Sequence, residues 1–78
     1  MAATHYNSTS ALLRRIERAR HSQDGEVVAQ EIARLETAIQ EWERALEKQP
    51  ARGLALRCAI ARRCVRQLTE RLEGIQRQ

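Results

Sequence analysis

Phenylalanine is absent from this 78-residue chain, and Tyr6 and Trp42 are its only aromatic residues. A core without them must be built from Leu, Ile, Val and Ala, which suits helices packed closely together. One proline and three glycines leave little of the punctuation that an all-β domain needs at its turns. Ala, Glu, Arg, Leu and Gln dominate instead, and all are good helix formers. The composition therefore predicts an all-α fold in one domain. Two cysteines, Cys58 and Cys64, are too few for a disulfide framework. They lie six residues apart on one expected helix, where they point in different directions and cannot bridge. Free thiols beside an apolar seam fit a reducing compartment. The stretch MAATHYNSTS has no basic-then-apolar run of the kind that opens a secretory signal, and no segment reaches membrane-spanning length. These absences together predict a cytoplasmic protein that does not enter a membrane.

What the chain has in quantity is charge, unevenly placed. The net charge is +4. Residues 1–23 carry +3, residues 24–49 carry −4, and residues 50–78 carry +5. An acidic segment between two basic ones points to internal pairing before it points to nucleic acid.

The apolar pattern sets out three helices. Residues 1–9 are expected to be frayed or disordered, and residues 10–78 to form a single helical hairpin domain preceded by a short helix. Ser10 is a candidate N-cap for that short helix, ALLRRIERAR, which carries Leu12, Leu13, Ile16 and Ala19 on roughly one side. About three turns are too few to hold a helix alone, so it must dock on something. HSQDG interrupts the pattern, and Asp24 is placed to cap the next helix with Glu26 near its positive end.

From there Val28, Ile32, Leu35, Ile39, Trp42 and Leu46 are spaced alternately four and three apart, an unbroken heptad seam. Gln49–Pro50 ends it, since proline disfavours helical geometry in the residue before it. Leu54, Cys58, Ala61, Val65, Leu68, Leu72 and Ile75 repeat the pattern. Two seamed helices joined by a short turn predict an antiparallel hairpin, acidic helix beside basic helix. Trp42 lies in the seam and reads as core.

One stretch exceeds what a single seam requires. In LALRCAIARRCV, residues 54–65, nine of twelve residues are apolar. Leu56 and Ile60 fall almost opposite the seam and adjoin on one face, flanked by Ala59 and Cys64. Either the short helix folds back over them with Leu12, Leu13 and Ile16, or another chain or a second copy does. Exposed apolar patches usually mark contact sites, so Leu56, Ala59, Ile60 and Cys64, with Leu12, Leu13 and Ile16 as a second group, are the expected partner-binding residues.

Chemistry finds no foothold in the pattern. His5 and His21 lie in expected irregular or frayed regions, and nothing sets either beside Cys58 or Cys64 as a nucleophile–base pair. The cysteine spacing is not that of a zinc site, and no glycine-rich phosphate loop is present. An all-helical mutase would need convergent buried charges, and neither seam contains one. The expectation is a non-enzyme with no cofactor and no metal. Nucleic acid is the rival: thirteen arginines include the clusters Arg14, Arg15, Arg18, Arg20 and Arg62, Arg63, Arg66. No aromatic is placed for base stacking, which favours solvated faces and pairing with Glu. A Rop-like homodimeric hairpin gripping RNA on its Arg-rich faces is the alternative.

The segments LLRRIER, IARLETAIQEWERALEK and CAIARRCVRQLTERLEGI, in this order and in under 80 residues, resemble the small needle co-chaperones of type III secretion systems, the YscE, PscE and EscE group. The likeness covers most of residues 10–76 and is one of length and pattern. The chain departs from the group in its arginine content and in the short inter-helix turn QPARG. The resemblance implies a cytoplasmic, non-enzymatic chaperone role in protein transport and virulence. It implies pairing with a tetratricopeptide-like chaperone and, through it, holding a needle subunit monomeric before export. A homo-oligomer is expected when the partner is missing.

Overall fold

The computed structural model describes residues 6–77, and every described element is helical. Helix α1 spans Thr9–Arg20, α2 spans Gly25–Lys48 and α3 spans Arg52–Arg77. The bundle measures 44 × 20 × 19 Å. A 26-residue α3 is about 39 Å long at 1.5 Å per residue, so it runs nearly the whole length of the molecule.

Local chemistry sets the helix ends. Ser8, not Ser10, caps α1: its hydroxyl accepts from the backbone N–H of Ala11 at 3.1 Å. Ser8, Thr9 and Ser10 are all competent caps, and the choice falls on the one that lengthens a short helix by two residues, about half a turn. Asp24 caps α2 as expected, accepting from the N–H of Glu26 at 3.0 Å. Gln49 closes α2 in extended geometry, donating its N–H to the carbonyl of Ala45, and Pro50 follows.

Helices α2 and α3 pack along each other at both ends. Gly25, at the start of α2, lies against Leu72 and Ile75 near the end of α3. Nearer the connecting turn, Glu43 pairs with Arg62. Of the two expected seams, Val28, Leu35, Ile39, Trp42, Cys58, Ala61 and Leu68 are buried, while Ile32, Leu46, Leu54, Val65, Leu72 and Ile75 pack at the edges. Ala38 is also fully buried. It belongs to a second stripe on α2, with Glu31, Leu35 and Trp42, at helical spacing. That stripe widens the buried arc of α2 beyond what one neighbouring helix would use.

The extra arc receives α1. Leu12, Ile16 and Ala19, three residues on one helical face, are all buried. Two arginines of α3 hold the chain at either end of α1. Arg57 donates to the backbone carbonyl of Tyr6 at 3.3 Å, just before α1, and Arg71 donates through Nε and Nη2 to the carbonyl of Ser22, just after it. They are fourteen residues apart, about 21 Å along α3, which matches the 12-residue α1 with its flanks.

Residues 1–5, the larger part of the segment expected to be frayed, lie outside the described residues, as does His5 with them. The remainder departs from that expectation at Tyr6, which is fully buried. Its ring meets Trp42 edge-on, with centroids 6.2 Å apart and planes at 80°, an arrangement favoured by the ring quadrupoles. A lone tyrosine in a polar stretch has found the chain's other aromatic ring.

Candidate partner-binding groove

The docking of α1 decides which of the expected contact residues remain at the surface. Leu12 and Ile16 do not, which corrects the second group. Along α1 each residue turns by about 100°, so Leu12, Ile16 and Ala19 form a stripe that enters the core, while Leu13 stands off it at the flank. Leu13 is 49% exposed. The side of α3 opposite its seam remains open, with Leu56 at 59% exposure, Ile60 half-buried and Ala59 exposed. Cys64 is 6% exposed and joins the core cluster while its edge still reaches the surface.

Leu13 from α1 and Leu56, Ala59, Ile60, Arg63 and Cys64 from α3 together line a groove of about 460 Å³. The open question of what covers the back face therefore has a divided answer. Helix α1 lies over one flank of α3, and its own Leu13 becomes a wall of the groove that remains. By contrast, the cleft between α2 and α3 is a smaller one of about 250 Å³, edged by Glu36, Glu43 and Arg62.

Both thiols are poor nucleophiles here. Burial pushes the Cys58 and Cys64 pKa values up, and the nearby arginines only partly oppose it: Arg57 at Cys58, Arg20 and Arg63 at Cys64. His21 lies at the exposed end of α1, 2.6 Å from Glu17. Among the described residues, no group of three or more His, Cys, Asp and Glu side chains is arranged to hold a metal ion. No helix among them is long and apolar enough to cross a membrane.

A buried charge does exist, beside the seam and not in it. Glu31 is 6% exposed. Its carboxylate accepts from the Tyr6 hydroxyl, and Arg15 donates to it through Nε at 3.3 Å and Nη2 at 3.1 Å. Both oxygens are therefore engaged. Burial, and then the bond to Glu31, raise the Tyr6 phenol well above its ordinary pKa. The hydrogen bond to Glu31 likewise strengthens the hold of Arg15 on its proton. Arg15 also lies 5.8 Å from the Tyr6 ring centroid, and Arg57 lies 5.4 Å from that of Trp42. These contacts tie the residues before α1, α1 itself and α2 into one polar joint. With both oxygens occupied by its own chain, this carboxylate anchors the three segments to one another.

Of the expected contact residues, Leu13, Leu56, Ala59, Ile60 and Cys64 line this groove, as helical periodicity placed them on one side. Sequence reasoning missed Tyr6, Glu31, Arg57 and Arg71. Glu31 falls three residues after Val28 and four before Leu35, and that spacing was the available signal that this acid faces inward. No protein-family model matches the chain, and no curated protein or solved structure matches it either.

Proposed function

We propose that this protein is a non-enzymatic, helix-binding co-chaperone. In the cytoplasm it pairs with a tetratricopeptide-like chaperone of a type III secretion system, stabilises it, and through it keeps the needle subunit monomeric before export. The observation that carries this reading is the open apolar groove beside α1, where Leu13 and Leu56, two of the few large apolar side chains at the surface, stand together. Such patches are kept where another chain is to be bound. The scaffold is an antiparallel hairpin of α2 and α3, supported by the Gly25 contacts to Leu72 and Ile75 and by the Glu43–Arg62 pair. A rigid helix pair with a free groove supplies one side of a helix-on-helix interface, and a needle subunit's amphipathic helices are the kind of surface that must be kept covered. The class of partner comes from the resemblance to the needle co-chaperones.

Co-expression with a tetratricopeptide-like chaperone tests the reading. Leu56→Asp and Ile60→Asp leave helicity intact and abolish co-purification, because a few residues dominate helix-in-groove binding. Unchanged co-purification of both variants refutes the proposal. The Rop-like alternative is weakened by its own arginines: Arg15 is engaged by Glu31 and Arg62 by Glu43. It predicts RNA binding that falls steeply with salt and is lost on neutralising Arg62, Arg63 and Arg66.

A further inference from the structure

We infer that the groove between α1 and α3 takes an amphipathic helix of a different protein, one whose apolar stripe is flanked by acidic residues. The inference rests on the helix-binding reading above and adds the charge of the partner.

The floor of the groove is apolar and its rim is basic. Arg63 is a lining residue. Arg52 falls on the same stripe of α3 as Leu56, Ala59 and Arg63 at helical spacing. Among the described residues the ion pairs involve neither Arg52 nor Arg63. On the α1 side, Arg20 falls on the same stripe as Leu13 at helical spacing. The acid on that side of α1 is Glu17, which already holds Arg20 at 3.6 Å and His21 at 2.6 Å. A ligand helix thus meets apolar side chains below and, along the α3 side, the guanidinium groups of Arg63 and Arg52, while Arg20 on the α1 side is already held by Glu17. Helices with acidic flanks are drawn in and basic ones repelled, which is how charge selects a partner.

A second copy of this chain fits poorly in either available arrangement. Across a two-fold axis the same patch faces itself, so the stripe from Arg52 to Arg63 of one copy lies against that of the other and basic residues are brought together. In a head-to-tail arrangement the acidic α2 is the natural occupant. Its outer face offers Val27 as the one large exposed apolar side chain, where a groove ligand needs anchors at i, i+3 or i+4, and i+7. From Leu56 to Arg63 the groove runs about 10 Å along α3, so a partner inserts about two turns.

The test uses two labelled synthetic helical peptides with one shared leucine stripe, flanked in one by glutamate and in the other by lysine. Each is titrated against the full chain by fluorescence anisotropy at low and at high salt. The glutamate peptide binds at least about tenfold more tightly at low salt, and the gap narrows as salt rises. Arg63→Glu reverses the preference and Arg63→Gln reduces it, while Leu56→Asp abolishes binding of both peptides. Equal, Leu56-dependent affinity for both peptides overturns the acidic-partner inference and leaves the helix-binding reading standing. Binding of neither peptide overturns both. Self-association that Leu56→Asp removes, measured by sedimentation, assigns the groove to a second copy and also overturns the inference.

Discussion

Replacing Tyr6 with phenylalanine removes a single oxygen from the joint between the residues before α1, α1 and α2. The ring keeps its edge contact with Trp42 and its position under Arg15. What is lost includes the hydroxyl's hydrogen bond to the buried Glu31 carboxylate. Bonds to charged groups are worth about 1.5–3 kcal/mol net. Arg15 still satisfies both carboxylate oxygens, so the lower end applies, about 1.5 kcal/mol. For a domain of this size each kcal/mol moves Tm by about 4–8 °C, giving a fall of roughly 6–12 °C. Urea unfolding followed by circular dichroism reads this as a lower midpoint at unchanged slope. The pH dependence adds an independent check. The folded state holds the Tyr6 proton beyond the pH at which the unfolded chain releases it. The stability this group contributes is therefore complete below about pH 10 and drains away above it. Cys58 and Cys64, also raised by burial, act with the same sign from slightly lower pH in both proteins, so the difference between wild type and Tyr6→Phe isolates the phenol. Tyr6 is the only tyrosine in the chain, and the ultraviolet absorbance of tyrosinate reports it alone. A loss below about 0.5 kcal/mol, beneath the usual worth of a single hydrogen bond, together with an ordinary tyrosine titration, would refute the reasoning.

Leu68 is fully buried in the seam of α3, and Leu68→Ala lowers stability by about 2–5 kcal/mol, measured by the same urea titration. Ser8→Ala removes the cap of α1 and costs about 1 kcal/mol; an unchanged urea midpoint would show that the cap is dispensable. Glu43→Gln breaks the pair with Arg62, but both side chains are substantially exposed, so the loss stays below about 1 kcal/mol and shrinks further in high salt.

Helices α2 and α3 were legible because their signals are periodic and redundant. Six positions from Val28 to Leu46 and seven from Leu54 to Ile75 repeat one spacing, Asp24 caps and Pro50 stops. The open side of α3 was legible for the same reason, since Leu56 and Ile60 violate a pattern their neighbours establish. The α1 docking was harder to read. The sequence requires α1 to dock but does not say which of Leu12, Leu13 and Ile16 turns inward, because that depends on the position of two other helices. Tyr6 lies in no periodic segment and carries no local signal. Arg57 and Arg71 are two of thirteen arginines, and the carbonyls they hold are backbone atoms with no sequence identity. Side-chain contacts to backbone over such separations leave no mark in composition or spacing.

The two arginines that hold α1 also set an order of assembly. Their contacts close over separations of 51 and 49 residues, whereas α2 and α3 meet across a short turn. These two anchors close after the more local pairings of α2 with its neighbours on either side, because distant contacts must overcome more chain entropy before they return any stability. Helix α1, too short to persist alone, is fully seated only on a surface that α2 and α3 make together. Helix α1 is the shortest of the three, so its release is the expected least costly excursion of the native state. That excursion bares Leu12 and Ile16 and takes away Leu13, one wall of the groove. The groove therefore exists only while α1 is seated. Any ligand that occupies it must hold α1 down by mass action, slowing amide exchange throughout that helix, including at residues the ligand never touches.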